Sequence, residues 1–139
     1  MRLVPYVVTI AVVLGVSAFG QSSKTTWDGV FTEAQVARGE RLYAASCASC
    51  HGSDLAGGEM APGLVGGEFS ANWNDLSLKD LLDRMYGTMP QNAPRSLTRE
   101  QDADILAFVL RRGGFPAGTE NLSGQGAELQ DIKFVATKP

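Results

Sequence analysis

Cys47-Ala48-Ser49-Cys50-His51 decides how this chain is read. Two thiols three positions apart can add to the two vinyl groups on one edge of a single haem. The next residue then lies under the iron, and its imidazole can bind from that face. C-x-x-C-H is the pattern of covalent haem attachment for that reason. The chain holds only two cysteines and one histidine. A disulfide between Cys47 and Cys50 would close too small a loop to staple a fold, so the thiols need another explanation. A redox dithiol would want a thioredoxin-like βαβ context, and the pattern offers none. A zinc site normally takes four ligands, so a carboxylate would have to complete it.

His51 stands alone, so ligation by two histidines within the chain is impossible. The sixth position goes to methionine, to something less usual, or to nothing. Thioether sulfur is a soft ligand and raises the iron's potential, as in electron-carrying cytochromes. Met1 leaves with the N-terminal segment. Met85 lies on an apolar helical stripe, where packing is its default role. Met60 follows His51 by only nine residues, an awkward reach to the opposite haem face. Met89 follows it by 38 residues, in a loop stiffened by Pro90, with ample chain to pass round the ring edge. Met89 is the favoured ligand, with Met60 or an open site as the alternatives.

Outward from the motif, the spacing predicts an all-helical domain. Thr32 and Gln35 form a capping-box pattern that opens a first helix at about residues 32–46. Val36, Gly39 and Tyr43 share one face of it, and Cys47 follows one turn later. Residues 52–76 hold Pro62 and Gly52, Gly57, Gly58, Gly63, Gly66 and Gly67, which predicts an irregular loop draped over a large flat ligand. A second helix is expected over 77–86, capped by Ser77 and ended by Gly87. Leu78, Leu81, Leu82 and Met85 give it an amphipathic stripe. A third helix is expected over 98–112, opened by Thr98 and Gln101. It is stopped by Gly113-Gly114, with Arg111 and Arg112 suited to the negative end of its dipole. No strand shows convincing alternation.

Met1-Arg2 followed by an uncharged apolar run to Phe19 has the layout of a signal peptide. Val16-Ser17-Ala18 and Ala18-Phe19-Gly20 both offer small-residue cleavage sites. A retained anchor is the rival reading, since the run approaches the roughly 17 residues of the shortest spanning helix. The expected organisation is a signal peptide at 1–20, a polar lead-in at 21–31, the haem domain at 32–114 and a polar tail at 115–139. Without residues 1–20 the chain keeps 11 of its 12 basic side chains against 15 acidic ones. That mildly acidic balance lacks the basic footprint of nucleic-acid binding. No carboxylate pair, phosphate loop or nucleophile constellation rises above background, so no enzymatic activity is expected.

Residues 32–114 resemble the class I cytochrome c family. The resemblance is carried by Gly39-Glu40-Arg41-Leu42-Tyr43, by Cys47–His51 with Gly52, by Ala61-Pro62-Gly63-Leu64 and by Thr88-Met89-Pro90. It implies a small helical domain wrapped around one covalently attached haem c, bound through Cys47 and Cys50. It also implies that the first and last helices cross at Gly39, Tyr43 and Phe108. Pro62 would accept the proton of the second nitrogen of His51, Leu64 would pack on the haem, and Trp73 would reach a haem propionate or serve in packing. A narrower likeness runs through Asn72-Trp73, Leu81 to Pro90, Ser96-Leu97, Asp104 to Phe108 and Phe115-Pro116-Ala117-Gly118. These segments are similar to cytochromes that accept electrons from quinoprotein alcohol dehydrogenases in the bacterial periplasm. The implied role is electron transfer from a dehydrogenase to an oxidase or other reductase, with transient or no membrane association. A haem enzyme or gas-binding sensor would need distal acid–base groups, and only Arg84 and Arg95 offer themselves. A subunit whose tail serves docking is the third possibility.

Overall fold

The computed structural model describes residues 23–139. The expected signal peptide at 1–20 lies outside the described residues. Among the described residues five α-helices form the frame: α1 (Glu33–Ser46), α2 (Ala48–His51), α3 (Gly67–Trp73), α4 (Leu78–Thr88) and α5 (Arg99–Arg112). No helix among the described residues is long and apolar enough to cross a membrane.

Three helices begin where the side chains can satisfy their open amides. Thr32, Ser77 and Thr98 each form a capping box, with Gln35, Asp80 and Gln101 reaching back. α5 ends as sharply. Gly114, at φ 95°, donates to Arg111 O at 3.1 Å, and Phe115 donates to Leu110 O at 3.1 Å. Those two bonds make a Schellman ending, a conformation that glycine reaches without strain.

α1 and α5 pack on one another more extensively than any other pair. Gly39 makes this possible, because a Cβ there would stand 1.8 Å from Asp104 O. Beside the crossing, Tyr43 and Phe108 rings meet at 5.3 Å between centroids. Arg38 grips the Asp104 carboxylate with two bonds of 2.7 and 2.8 Å.

The structure departs from the sequence expectations at four places. Residues 52–76 are not irregular throughout, since α3 forms at Gly67–Trp73. α4 runs through Gly87 to Thr88, so that glycine does not end the helix. A two-stranded parallel pair exists, β1 (Lys24–Thr25) against β2 (Ile132–Lys133). The expected limits at 32 and 114 do not bound the packed core. Val30 and Phe31 before them are buried in one cluster with Phe115, Leu122, Leu129, Ile132 and Phe134 after them. The tail is therefore structural: it covers the faces of α4 and α5 that the other helices leave bare. Gln35 fixes it from α1, donating to Leu122 O at 2.9 Å and accepting from Leu122 N at 2.7 Å.

A second cluster lies on the other side of α5. Tyr43, Leu55, Ile105, Phe108 and Val109 form its buried part, and Val36, Phe69 and Met85 belong to the margins of both clusters.

Candidate functional site

Cys47 closes α1 and opens α2, a single turn. Cys50 and His51 both donate backbone bonds to Cys47 O, at 3.1 and 3.0 Å. Residues i, i+3 and i+4 of one turn share a face. Both cysteines are free thiols; Cys50 is exposed, while Cys47 is half-buried against the second cluster. Burial pushes the Cys47 thiol up to about 11, and the nearby Asp102 and Cys50 charges push the same way.

His51 is buried, and its Nδ1 lies 2.8 Å from Pro62 O. A carbonyl can only accept, so Nδ1 carries a proton, and in the neutral ring the free lone pair is then that of Nε2. The loop that brings Pro62 there is built on close backbone approach. Gly57, at φ 77°, donates to His51 O at 2.9 Å, and a Cβ on it would stand 2.4 Å from Gly63 N. Leu64 N then bonds Leu55 O at 2.9 Å. The glycines serve this fold-back of the loop on itself, which a reading of glycine density alone does not reveal.

Tyr43 adds a contact that sequence reasoning missed. Its hydroxyl donates to Gly52 O at 2.7 Å, so α1 holds the turn immediately after His51. Burial raises its hydroxyl to about 12 and keeps it a donor. The available signal was the spacing of nine residues, which says nothing about a long-range bond of this kind.

Among the expected residues, Cys47 and Leu64 border the second cluster and Pro62 bonds His51. Trp73 does not join them: it ends α3 and packs beside Phe69, 6.4 Å between ring centroids, on the cluster containing the tail. Met89 follows α4 at its C-terminus, donates its N–H to Met85 O at 2.8 Å and is 36% exposed. Met60 is 77% exposed on the loop. Met85 packs on both clusters, one helical turn before Met89 at the end of α4.

The donor set and its surroundings fit a haem. One turn presents two free thiols and an imidazole whose free nitrogen is its Nε2. Beside it Leu64, Val65, Phe69, Met85 and Leu97 are only partly covered. A half-covered apolar rim next to the thiols suits a large flat apolar ligand. Among the described residues, no group of three or more histidines, cysteines or carboxylates converges as a metal site.

Comparison with known proteins follows the same line. The family model described as cytochrome c oxidase, cbb3-type, subunit III matches residues 34–109. The chain belongs to the cytochrome c family. A cytochrome c-551 from Bacillus subtilis is 32% identical over 82 residues, 59% of this chain and 67% of that protein. The cbb3-type cytochrome c oxidase subunit CcoP of Rubrivivax gelatinosus is 32% identical over 82 residues, 58% of this chain and 27% of the subunit. The cytochrome bc1 complex cytochrome c subunit of Corynebacterium diphtheriae is 32% identical over 104 residues, 71% of this chain and 35% of the subunit. The chain thus spans between about a quarter and about a third of the length of those two complex subunits. The crystal structure of the sulfane dehydrogenase SoxCD from Paracoccus pantotrophus aligns with a TM-score of 0.45 at 27% identity, over 63% of this chain and 52% of that one. For this cytochrome c, family membership implies a covalently bound haem c and electron transfer through it.

Proposed function

We propose that this cytochrome c is an exported, periplasmic electron carrier with a single haem attached at Cys47 and Cys50, and with His51 and Met89 as axial ligands. The observation that carries the reading is the His51–Pro62 bond of 2.8 Å on the turn that bears both thiols. It fixes one tautomer and leaves Nε2 as the ligating nitrogen, as outer partners of metal-bound histidines commonly do. When bound, the haem supplies an iron that exchanges one electron between its ferric and ferrous forms.

The chain's own residues prepare that site. Pro62 orients the imidazole and adds to its basicity. Tyr43 holds the turn beyond His51 through Gly52 O. Leu64, Val65, Phe69 and Leu97 keep water from the ring, and a dry site disfavours the more highly charged ferric form. Met89 sits where α4 delivers it. Trp73 is assigned to packing rather than to a propionate. The organisation proposed is a removable leader over residues 1–20 and one packed unit after it.

Donors and acceptors are proposed from relatives. Relatives named as an oxidase subunit and a bc1 complex subunit support a place between a reductant and a terminal oxidase. The likeness to cytochromes of quinoprotein dehydrogenases makes such a dehydrogenase the proposed donor.

The test is the absorption spectrum of the matured protein, oxidised and reduced, with and without carbon monoxide, beside Met89→Ala. A methionine–iron band with no carbon monoxide binding, both lost in the mutant, is the expected result. A wild type that binds carbon monoxide readily would sink the carrier reading in favour of an enzyme or sensor. A closed wild type with an unchanged mutant would move the ligand role to Met60.

A further inference from the structure

α4 delivers Met89, yet its fully buried side chains stop at Leu82. The turns beyond are held by another device. Asp83 accepts from Arg99 Nη1 at 2.7 Å and also pairs with Lys79. Lys79 and then Arg99 hold the Asp83 carboxyl below the usual range. The same Arg99 guanidinium lies 4.3 Å from the centroid of the Tyr86 ring. Asp83, Tyr86 and Met89 follow one another at three-residue steps, so a single arginine grips the two turns that lead into Met89.

Arg99 stands against its local preference. It opens α5, where a cation meets the positive end of the helix dipole, in a first turn otherwise acidic with Glu100 and Asp102. A residue that breaks a local rule points to a role elsewhere. Its backbone is pinned from the other side as well. A Cβ at Gly124 would stand 2.4 Å from Arg99 O, and Gln125 donates to Glu100 at 3.3 Å. The tail braces the start of α5, and α5 braces α4 through Arg99.

We infer that Arg99 is a positioning residue for Met89, holding the end of α4 by pairing with Asp83 and stacking on Tyr86 so that the thioether keeps its place at the site. The inference rests on the reading of Met89 as an axial ligand. An isolated surface ion pair is worth little. A planar guanidinium that pairs and stacks at once also fixes direction, which lysine does less well.

The experiment uses the haem-loaded protein and reads three things: the methionine–iron band of the ferric form, carbon monoxide binding by the ferrous form, and helical circular dichroism. The variants are Arg99→Leu, Arg99→Lys, Asp83→Asn and Met89→Ala. Arg38→Gln serves as a control ion pair at the α1–α5 crossing. Arg99→Leu is expected to weaken the band and raise carbon monoxide affinity roughly tenfold with helical content kept. Arg99→Lys should recover part of both, and Arg38→Gln should change neither. Wild-type behaviour of Arg99→Leu, beside a Met89→Ala that loses band and closure, would overturn the inference and leave the ligand standing. A Met89→Ala with wild-type behaviour would overturn the ligand reading and the inference with it. Should Arg99→Leu lose helical content, Asp83→Asn is judged on the same two optical readouts: a shift supports the inference and none overturns it.

Discussion

Asp102 is 3% exposed on α5, and its Oδ2 has no hydrogen-bond partner among the described residues. Burial lifts its carboxyl to about 6, outweighing the Arg99 charge, which pulls the other way. The ordinary aspartate value is about 3.9. Below that value folded and unfolded chains are both protonated, and burial costs nothing in charge. Between roughly 4 and 6 the unfolded chain loses its proton while the folded one keeps it, so stability falls as pH rises. Above about 6 the full cost of a buried carboxylate whose Oδ2 has no partner is present. Asp102→Asn is expected to raise stability by about 1–2 kcal/mol at pH 7 and to flatten the loss between pH 4 and 6. Denaturant titrations of both proteins at pH 4, 5, 6 and 7 check this; parallel curves would refute it. In the sequence Asp102 reads as one more dispersed acid, because residue type does not announce burial. His51 and the two cysteines were legible for the opposite reason: their chemistry depends on spacing along the chain, and spacing is what a sequence displays.

At the scale of elements, the crossing of α1 and α5 is the most extensive packing between the described helices. Gly39→Ala would force a methyl toward Asp104 O, which is backbone of α5 and cannot rotate away. The two helices would have to separate, at a cost of about 2–3 kcal/mol for overpacking of this kind. A lowered denaturation midpoint with unchanged m-value is the expected reading, and an unaltered midpoint would show that the crossing is looser than it looks. The three capped helices were legible because Thr32, Ser77 and Thr98 carry their start signals in the sequence. α3 was not: it starts at Gly66-Gly67, residues that argue against a helix, and tertiary packing of Phe69 and Trp73 overrides them. Gly87 misled for a related reason, since it lies inside a turn that Met85 and the Arg99 grip already hold.

Over the whole molecule, the tail contributes a share of core that its sequence conceals. Leu122, Leu129, Ile132 and Phe134 are too few and too scattered in a polar segment to sustain a helical or a strand period, so no pattern marks them as buried. Phe134 nonetheless meets both Phe69 and Phe115, at 6.0 and 5.2 Å between ring centroids. Phe134→Ala is expected to cost about 3–5 kcal/mol, as large-to-small changes in a closed core do. A thermal midpoint shifted by only a degree or two would mean that the tail is dispensable. The site half of the molecule was more legible than this half, because haem chemistry imposes a motif and packing imposes none.

The pairing of β1 with β2 has a further consequence. Lys24 lies beside Ile132, Trp27 Nε1 donates to Val135 O at 2.8 Å, and Val135 N donates to Thr26 Oγ1 at 3.1 Å. These bonds join residues 108 and 109 positions apart. Small domains often close such a circuit with a disulfide, but both cysteines here are committed to the cofactor. A non-covalent buckle takes that place. The entropy of closing so long a loop grows only with the logarithm of its length, so the buckle's reach is tolerable; what it lacks is permanence. The belt it fastens is therefore reversible. Its contacts, more than a hundred residues apart, add to the sequence-distant crossing of α1 and α5 and raise the contact order of a helix-built chain, which slows folding.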